Sequence, residues 1–299
     1  MSIHIDTTQR GREGPNYRDA RNEPALNPLR KEFADLIRQV RKRTGRPLKV
    51  ASTITVTAEN LPGVAEALRF LMENSDVFGL VSFQPIAQVG RTESGLGGSA
   101  PVSELWNEIA TAVTGGSDRE EELLRHHGWF GHSSCNRFVQ GLVLHNRRGP
   151  AEFFPLIRAD QPSDKAFVDS LLERFGGLQF RGDSRLQAFG RLLGVIKSAP
   201  VLVLVHGTRF ALRHMKRLGR GSRLRLLWRW VTGQARVTYF NVVSHHFMTA
   251  EELRSEEGRE RLESCVFKVA SGGELVSMCE FNTLGGRDRL YAEIRGEPA

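Results

Sequence analysis

Val50-Ala-Ser-Thr-Ile-Thr-Val-Thr57 alternates β-branched residues with a period of two. Behind it stands Asn60, a residue suited to cap a helix, and then Val64, Ala67, Leu68, Leu71 and Met72 at helical spacing. A second apolar run, Val77-Phe-Gly-Leu-Val-Ser-Phe83, ends in Gln84-Pro85 and opens into a loop with glycine at 90, 95, 97 and 98. The stretch from Pro47 to Arg91 therefore reads as strand, helix, strand, with both strands buried and parallel. Ligands of parallel α/β folds sit at the carboxyl ends of the strands, which puts Thr55, Thr57, Asn60, Gln84 and Gln88 where a site belongs. The same residues serve equally well as ordinary loop polars.

Outward from this unit, Ile3-His-Ile-Asp6 is a short strand and Thr7 to Leu26 a long polar loop. Asn27 and Pro28 start a helix whose expected inner stripe is Leu29, Phe33, Leu36, Ile37 and Val40. Arg41, Lys42 and Arg43 suit its negative end, and Gly45 and Pro47 stop it. Strand, helix, strand, helix, strand from Ile3 to Phe83 makes consecutive right-handed crossover units, as in a β/α barrel or a piece of one.

A chain of 299 residues buries a real core and makes one large or two ordinary domains. No run approaches the roughly 20 apolar residues of a membrane span, and Met1-Ser-Ile-His-Ile lacks the pattern of a signal peptide, so a cytoplasmic location is expected. The three cysteines do not form a disulfide framework there; free thiols or metal ligands fit better. The net charge of +8 calls for an acidic partner.

Three segments near the amino end carry a resemblance: His4-Ile-Asp-Thr-Thr-Gln9, Thr53-Ile-Thr-Val-Thr-Ala-Glu-Asn60, and Val81-Ser-Phe-Gln-Pro85 followed by Gly90-Arg-Thr92. Further along stand Gly131-His-Ser-Ser-Cys-Asn136, Ser244-His-His-Phe-Met248, Cys265-Val-Phe and Met278-Cys-Glu-Phe-Asn282. In this order they resemble the later barrel strands and carboxyl-terminal region of radical S-adenosylmethionine (SAM) enzymes, most of all the archaeal and bacterial group that includes tetraether lipid synthases. The resemblance implies an α/β fold: a partial β/α barrel of the radical SAM type over residues 1–110, then a mixed α+β region over 111–299. It implies S-adenosylmethionine and a [4Fe-4S] cluster as cofactors of the complete enzyme. The C-x-x-x-C-x-x-C loop that binds the cluster in that family does not occur in this sequence. The chain is therefore expected to be the carboxyl-terminal part of such an enzyme, inactive alone, from a truncated gene, a misplaced start or a split gene whose separately encoded amino-terminal half would be its partner. Carried over by position, Asp6, Thr55, Asn60 and Gln84 to Ile86 would contact the cofactor, and each fits a helix cap or strand-end hydrogen bond as well.

Pro101 to Thr114 reads as a helix with Val102, Leu105, Trp106 and Ile109 inward. Gly115-Gly-Ser-Asp118 breaks it, and Glu120 to Arg125 starts a short charged helix. His126, His127, His132 and Cys135 follow within ten residues, at a spacing that matches no zinc pattern. The resemblance places Cys135 in an auxiliary iron site. Ala199-Pro-Val-Leu-Val-Leu-Val-His-Gly207 reads as an apolar strand, the way many α/β-hydrolases begin an oxyanion loop. No G-x-S-x-G elbow follows, and Gly182-Asp-Ser184 lies upstream without a second glycine, which argues against a hydrolase. Walker A and C-x-x-C patterns are missing as well.

Two features remain. From Arg209 to Arg229, arginine and lysine alternate with Leu212, Met215, Leu218, Leu224, Leu226, Leu227 and Trp228, with Trp230 just beyond. Two short helices of that composition suit an anionic membrane surface or a solvated face packed on the barrel; nucleic acid fits less well because aromatic platforms are few. Val266 to Ala270 and Glu274 to Met278 read as a hairpin around Ser271-Gly272-Gly273. If Ala270 faces Glu274, Cys265 lies opposite Cys279, and two thiolates could share one iron with Cys135 or a residue of the missing part; two small thiols in a packed hairpin is the plainer alternative. A non-catalytic remnant or basic binding module is the rival to the enzyme as a whole.

Overall fold

Burial along Val50 to Val56 is what sets the architecture: Val50, Ser52, Ile54 and Val56 are enclosed on one face, and Thr53 on the other face is nearly so. The computed structural model describes residues 1–9, 17, 20–87, 98–114, 128–146, 149–157, 161–164, 166, 190, 193–194, 196–217, 235–271 and 273–296. Strand β1 (Ser2–His4), helix α1 (Asn27–Thr44), β2 (Val50–Val56), α2 (Val64–Glu73) and β3 (Phe78–Pro85) follow one another as expected. Then come α3 (Val102–Thr114), β4 (Asn136–Asn146), β5 (Glu152–Pro155), α4 (Pro200–Arg217) and β6 (Ala235–His245). Helix α5 (Glu256–Glu263), β7 (Lys268–Ser271), β8 (Glu274–Ser277), α6 (Met278–Thr283) and α7 (Gly286–Arg295) complete the described elements.

Six strands form one sheet in the order β1-β2-β3-β6-β4-β5. The first four in that order run parallel, and β4 and β5 add antiparallel at the far side. The fold is thus a mixed α/β one, and its sheet draws strands from both sides of residue 110. Paired residues share a face, so Ile54, Phe83 and Ser244 lie on one side, and Thr53, Ser82 and Val243 on the other. The first side carries the core: Val81, Phe83, Phe240 and Val242 pack with Leu68, Leu71 and Met72 of α2 and Leu105, Trp106 and Ile109 of α3. Each such side chain contributes about 1.5–3 kcal/mol by leaving water. Trp106 donates its indole N–H to Ser244 Oγ at 3.0 Å, and the Arg137 guanidinium lies 4.3 Å from the centre of its ring. The second side is more polar, with Thr53, Thr55, Ser82, Gln84, Asn241 and His245 along it.

Several expectations are corrected. The inner face of α1 is Arg30, Ala34 and Ile37, with Leu29 and Phe33 packed at its edge, while Leu36 is 52% exposed. The helix turns a charged residue inward because Glu23 waits there to pair with it. Val102 stands at the exposed start of α3. Asn60 makes no capping bond; α2 begins at Val64, after a single tight turn over Leu61–Gly63. The run from Ala199 to Gly207 is helix, with Pro200 at the head of α4, which removes the oxyanion-strand reading. A continuous apolar run does not itself distinguish strand from helix, and proline suits a first helical turn. Residues 209–217 continue that same helix instead of starting a new one, and 218–229 lie outside the described residues. So do Gln88, His126, His127, the charged helix expected over 120–125 and Gly182 to Ser184.

Candidate functional site

The carboxyl ends of β1 and β2 are tied off by a buried polar network. Asp6 accepts from Thr8 N and Thr8 Oγ1 through Oδ1, at 2.9 and 2.7 Å, and from Thr55 N through Oδ2 at 2.8 Å. Asn60 Oδ1 accepts from Thr57 N at 2.8 Å, and its Nδ2 donates to Thr7 Oγ1, Glu23 Oε1 and the Thr55 carbonyl. Glu23 Oε2 pairs with Arg30, whose guanidinium also donates to the carbonyls of Glu23 and Ile5 and to Asn27 Oδ1. Every polar atom of the Asp6 and Asn60 side chains has a partner inside the chain. Ile86 likewise gives its N–H to the Val56 carbonyl at 2.8 Å. These residues shape the strand ends, and none of Asp6, Thr55, Asn60 and Ile86 lines the cavity beyond β3 and β6.

Gln84 does line it. The cavity lies beyond the ends of β3 and β6 and encloses about 660 Å³ of empty space, open solvent at its mouth included. Gln84 enters from β3, His245 and His246 from the end of β6, Cys135 from the loop before β4, Cys265 from the segment before β7, and Cys279 from α6. Phe130, Val266, Phe267 and Met278 supply apolar wall. Three cysteines far apart in sequence thus share one cavity.

Local geometry explains how each arrives. Asn136, almost wholly buried, closes the loop on itself by donating to the Phe130 carbonyl at 2.6 Å and accepting from Phe130 N at 2.8 Å. Gly131 sits at φ +65, and a Cβ there would stand 2.4 Å from the Ser264 carbonyl oxygen, so glycine lets the Cys135 loop and the Cys265 segment touch. His246 N donates to the Cys135 carbonyl at 2.8 Å. Ser277 caps α6 by accepting from Glu280 N at 3.0 Å, which sets Cys279 in the first turn.

The hairpin register differs from the expected one. Ser271 faces Glu274 and Ala270 faces Leu275, and Gly273 sits at φ +84 beside the turn. Strand β8 gives way to helix at Met278, and Cys265 precedes β7. Cys265 and Cys279 therefore stand on different elements, and the pairing of two thiols across a hairpin is not formed. The shared cavity brings them together instead.

The thiols differ in environment. Cys135 Sγ accepts from Arg261 Nε at 3.4 Å, and Arg261, itself nearly buried, also donates to the His246 carbonyl at 2.9 Å. Cys265 donates its S–H to the Phe267 carbonyl at 3.2 Å. Cys279 accepts from Met248 N at 3.5 Å, yet burial pushes its thiol pKa up. Burial also lowers the pKa of His245, and brings that of His246 down to about 4 against the pull of its hydrogen bond to the Ser134 carbonyl. Arg261 and His246 escaped the sequence reading as site residues: nothing in the spacing of Arg261 marks it, and His246 was visible only inside a motif.

Cysteine sulfur with histidine nitrogen forms a donor set of the kind that binds iron. Among the described residues no three His, Cys, Asp or Glu side chains stand close enough to hold a metal ion between them. An iron–sulfur cluster spreads its ligands more widely than a single ion. No protein-family model matches the chain, and no curated protein matches it at a significant level.

Proposed function

We propose that this chain is the carboxyl-terminal portion of a radical SAM enzyme and that the cavity beyond β3 and β6 is part of its reaction chamber, with an auxiliary iron–sulfur centre held by Cys135, Cys265 and Cys279. The carrying observation is the convergence of these three cysteines on one cavity. Each later segment that bears the resemblance also contributes to the wall: His132 with Cys135, His245 with His246, Cys265 with Phe267, and Met278 with Cys279. The parallel run β1-β2-β3-β6, with helices on one side and a polar second side, is compatible with a barrel segment. Asp6 and Asn60 spend their side-chain hydrogen bonds within the chain, and among the described residues expected to contact the cofactor Gln84 is the one that lines the cavity.

The centre would supply electron transfer. The chain's own contribution is to hold it, with Met278 in the apolar wall, and to admit substrate past Phe130, Val266 and Phe267, which are exposed. A mouth of that composition suits a lipid-like substrate. Anaerobic reconstitution with iron and sulfide, followed by reductant and S-adenosylmethionine, tests the reading. The chain is expected to retain iron and acid-labile sulfide and to release no 5′-deoxyadenosine; failure to retain them, or release of the nucleoside, overturns it.

A membrane-surface contact is favoured by α4. Val201, Leu204, Val205 and Leu212 recur along one helical face and are exposed, Val201 and Leu204 by more than 70%. No aspartate or glutamate occurs between Asp183 and Glu251, while arginine and lysine recur throughout. No described helix is long and apolar enough to cross a membrane, so the contact would lie along an anionic surface.

A further inference from the structure

Three histidines line the cavity, and they are not equivalent. His132 Nδ1 accepts from Ser134 N at 3.2 Å, so its proton sits on Nε2, 3.9 Å from Glu260 Oε2. His245 stacks edge-on against Phe267, with ring centres 5.1 Å apart. His246 is different in kind. Its Nδ1 lies 3.2 Å from the Ser134 carbonyl, which can only accept, so the proton is on Nδ1 and Nε2 keeps a free lone pair. That Nε2 is buried and has no hydrogen-bond partner.

A buried acceptor left unpaired is destabilising, and a bound group would remove that cost. Histidines that bind metal almost always donate their other ring N–H to a carbonyl or carboxylate, which fixes the tautomer and the ring. His246 makes that bond to the carbonyl of Ser134, the residue next to Cys135, and Cys135 in turn accepts the His246 N–H through its own carbonyl. Ring and thiol are thereby held as one unit.

We propose that His246 Nε2 is a fourth protein ligand of the iron centre, alongside Cys135, Cys265 and Cys279. The proposal rests on the metal reading of the cavity. A neutral imidazole is the form that binds metal, and the Ser134 carbonyl holds the ring proton on Nδ1, leaving Nε2 for the metal. Replacing one thiolate by imidazole raises the reduction potential of an iron–sulfur centre, as it does in clusters with mixed ligands.

Pulsed electron paramagnetic resonance on the reduced, anaerobically reconstituted full chain tests this. Protein made with ordinary histidine and with ¹⁵N-histidine is expected to show a nitrogen coupling that changes with the label. His246→Cys should retain iron, lose the coupling and lower the midpoint potential, whereas His246→Ala should retain less iron. If iron is held in a cysteine-dependent way but no nitrogen couples to it, or the coupling persists in His246→Cys, the His246 assignment falls and the cavity reading stands. If iron retention does not depend on the cysteines, both fall.

Discussion

Arg261 Nε donates to Cys135 Sγ at 3.4 Å while Nη2 of the same guanidinium donates to the His246 carbonyl at 2.9 Å. One buried fork thus ties α5 to the loop before β4 and to the end of β6, with Glu252 Oε1 3.6 Å from Nη1 as its counter-charge. Lysine keeps the charge and loses the fork. Arg261→Lys is expected to destabilise the chain by about 1.5–3 kcal/mol in urea unfolding, the range for a hydrogen bond to a charged group. A change within experimental error would mean the fork does not hold the cavity wall.

The Arg30–Glu23 pair, with no exposure on either side, anchors the strand ends at the other side of the sheet. Removing one partner strands the other charge in the interior, at about 3–5 kcal/mol. Arg30→Met is expected to lose that much in urea unfolding. A loss near zero would show that Glu23 takes up a proton or that the network rearranges around it.

Much of the first third was legible because its signals are local. Val50 to Val56 and Val64 to Met72 obey strand and helix periods, and both sit where those periods put them. Arg30 defeated the same logic, since its partner Glu23 lies outside the helix and no local pattern announces a buried ion pair. The cavity was legible residue by residue: Gln84 and the three cysteines were each expected to matter, but for separate reasons. Their meeting depends on β6 returning beside β3, which is a long-range fact. The hairpin register turned on one residue in a glycine turn, the least determined quantity in a short strand pair.

His145 offers a pH handle far from the cysteines. Its Nε2 lies 2.9 Å from Ser75 Oγ and 3.0 Å from Thr238 Oγ1; burial, then the charge of Arg236, lowers its pKa, with Asp76 opposing. The folded pKa is below the unfolded one, so between them the unfolded chain binds more protons and stability falls as pH drops below about 6.5. His145→Gln is expected to flatten that decline in unfolding measured from pH 8 to pH 5. An unchanged slope would contradict the assignment.

Helix α4 leads to a measurement on vesicles. At low salt the chain is expected to float with liposomes containing anionic lipid and not with neutral ones, and added salt should weaken the association. Leu204→Asp, placed on the exposed apolar face, should weaken it further. Equal behaviour on both kinds of vesicle would remove the membrane contact.

The most direct test of the central claim is the iron and acid-labile sulfide retained per chain after anaerobic reconstitution and desalting, compared among the unaltered protein, Cys135→Ser, Cys265→Ser and Cys279→Ser. Convergence of the three thiols on one cavity predicts that the unaltered chain retains both and that each substitution lowers them together. Retention unchanged in all three variants would contradict it and leave the cysteines a packing role alone.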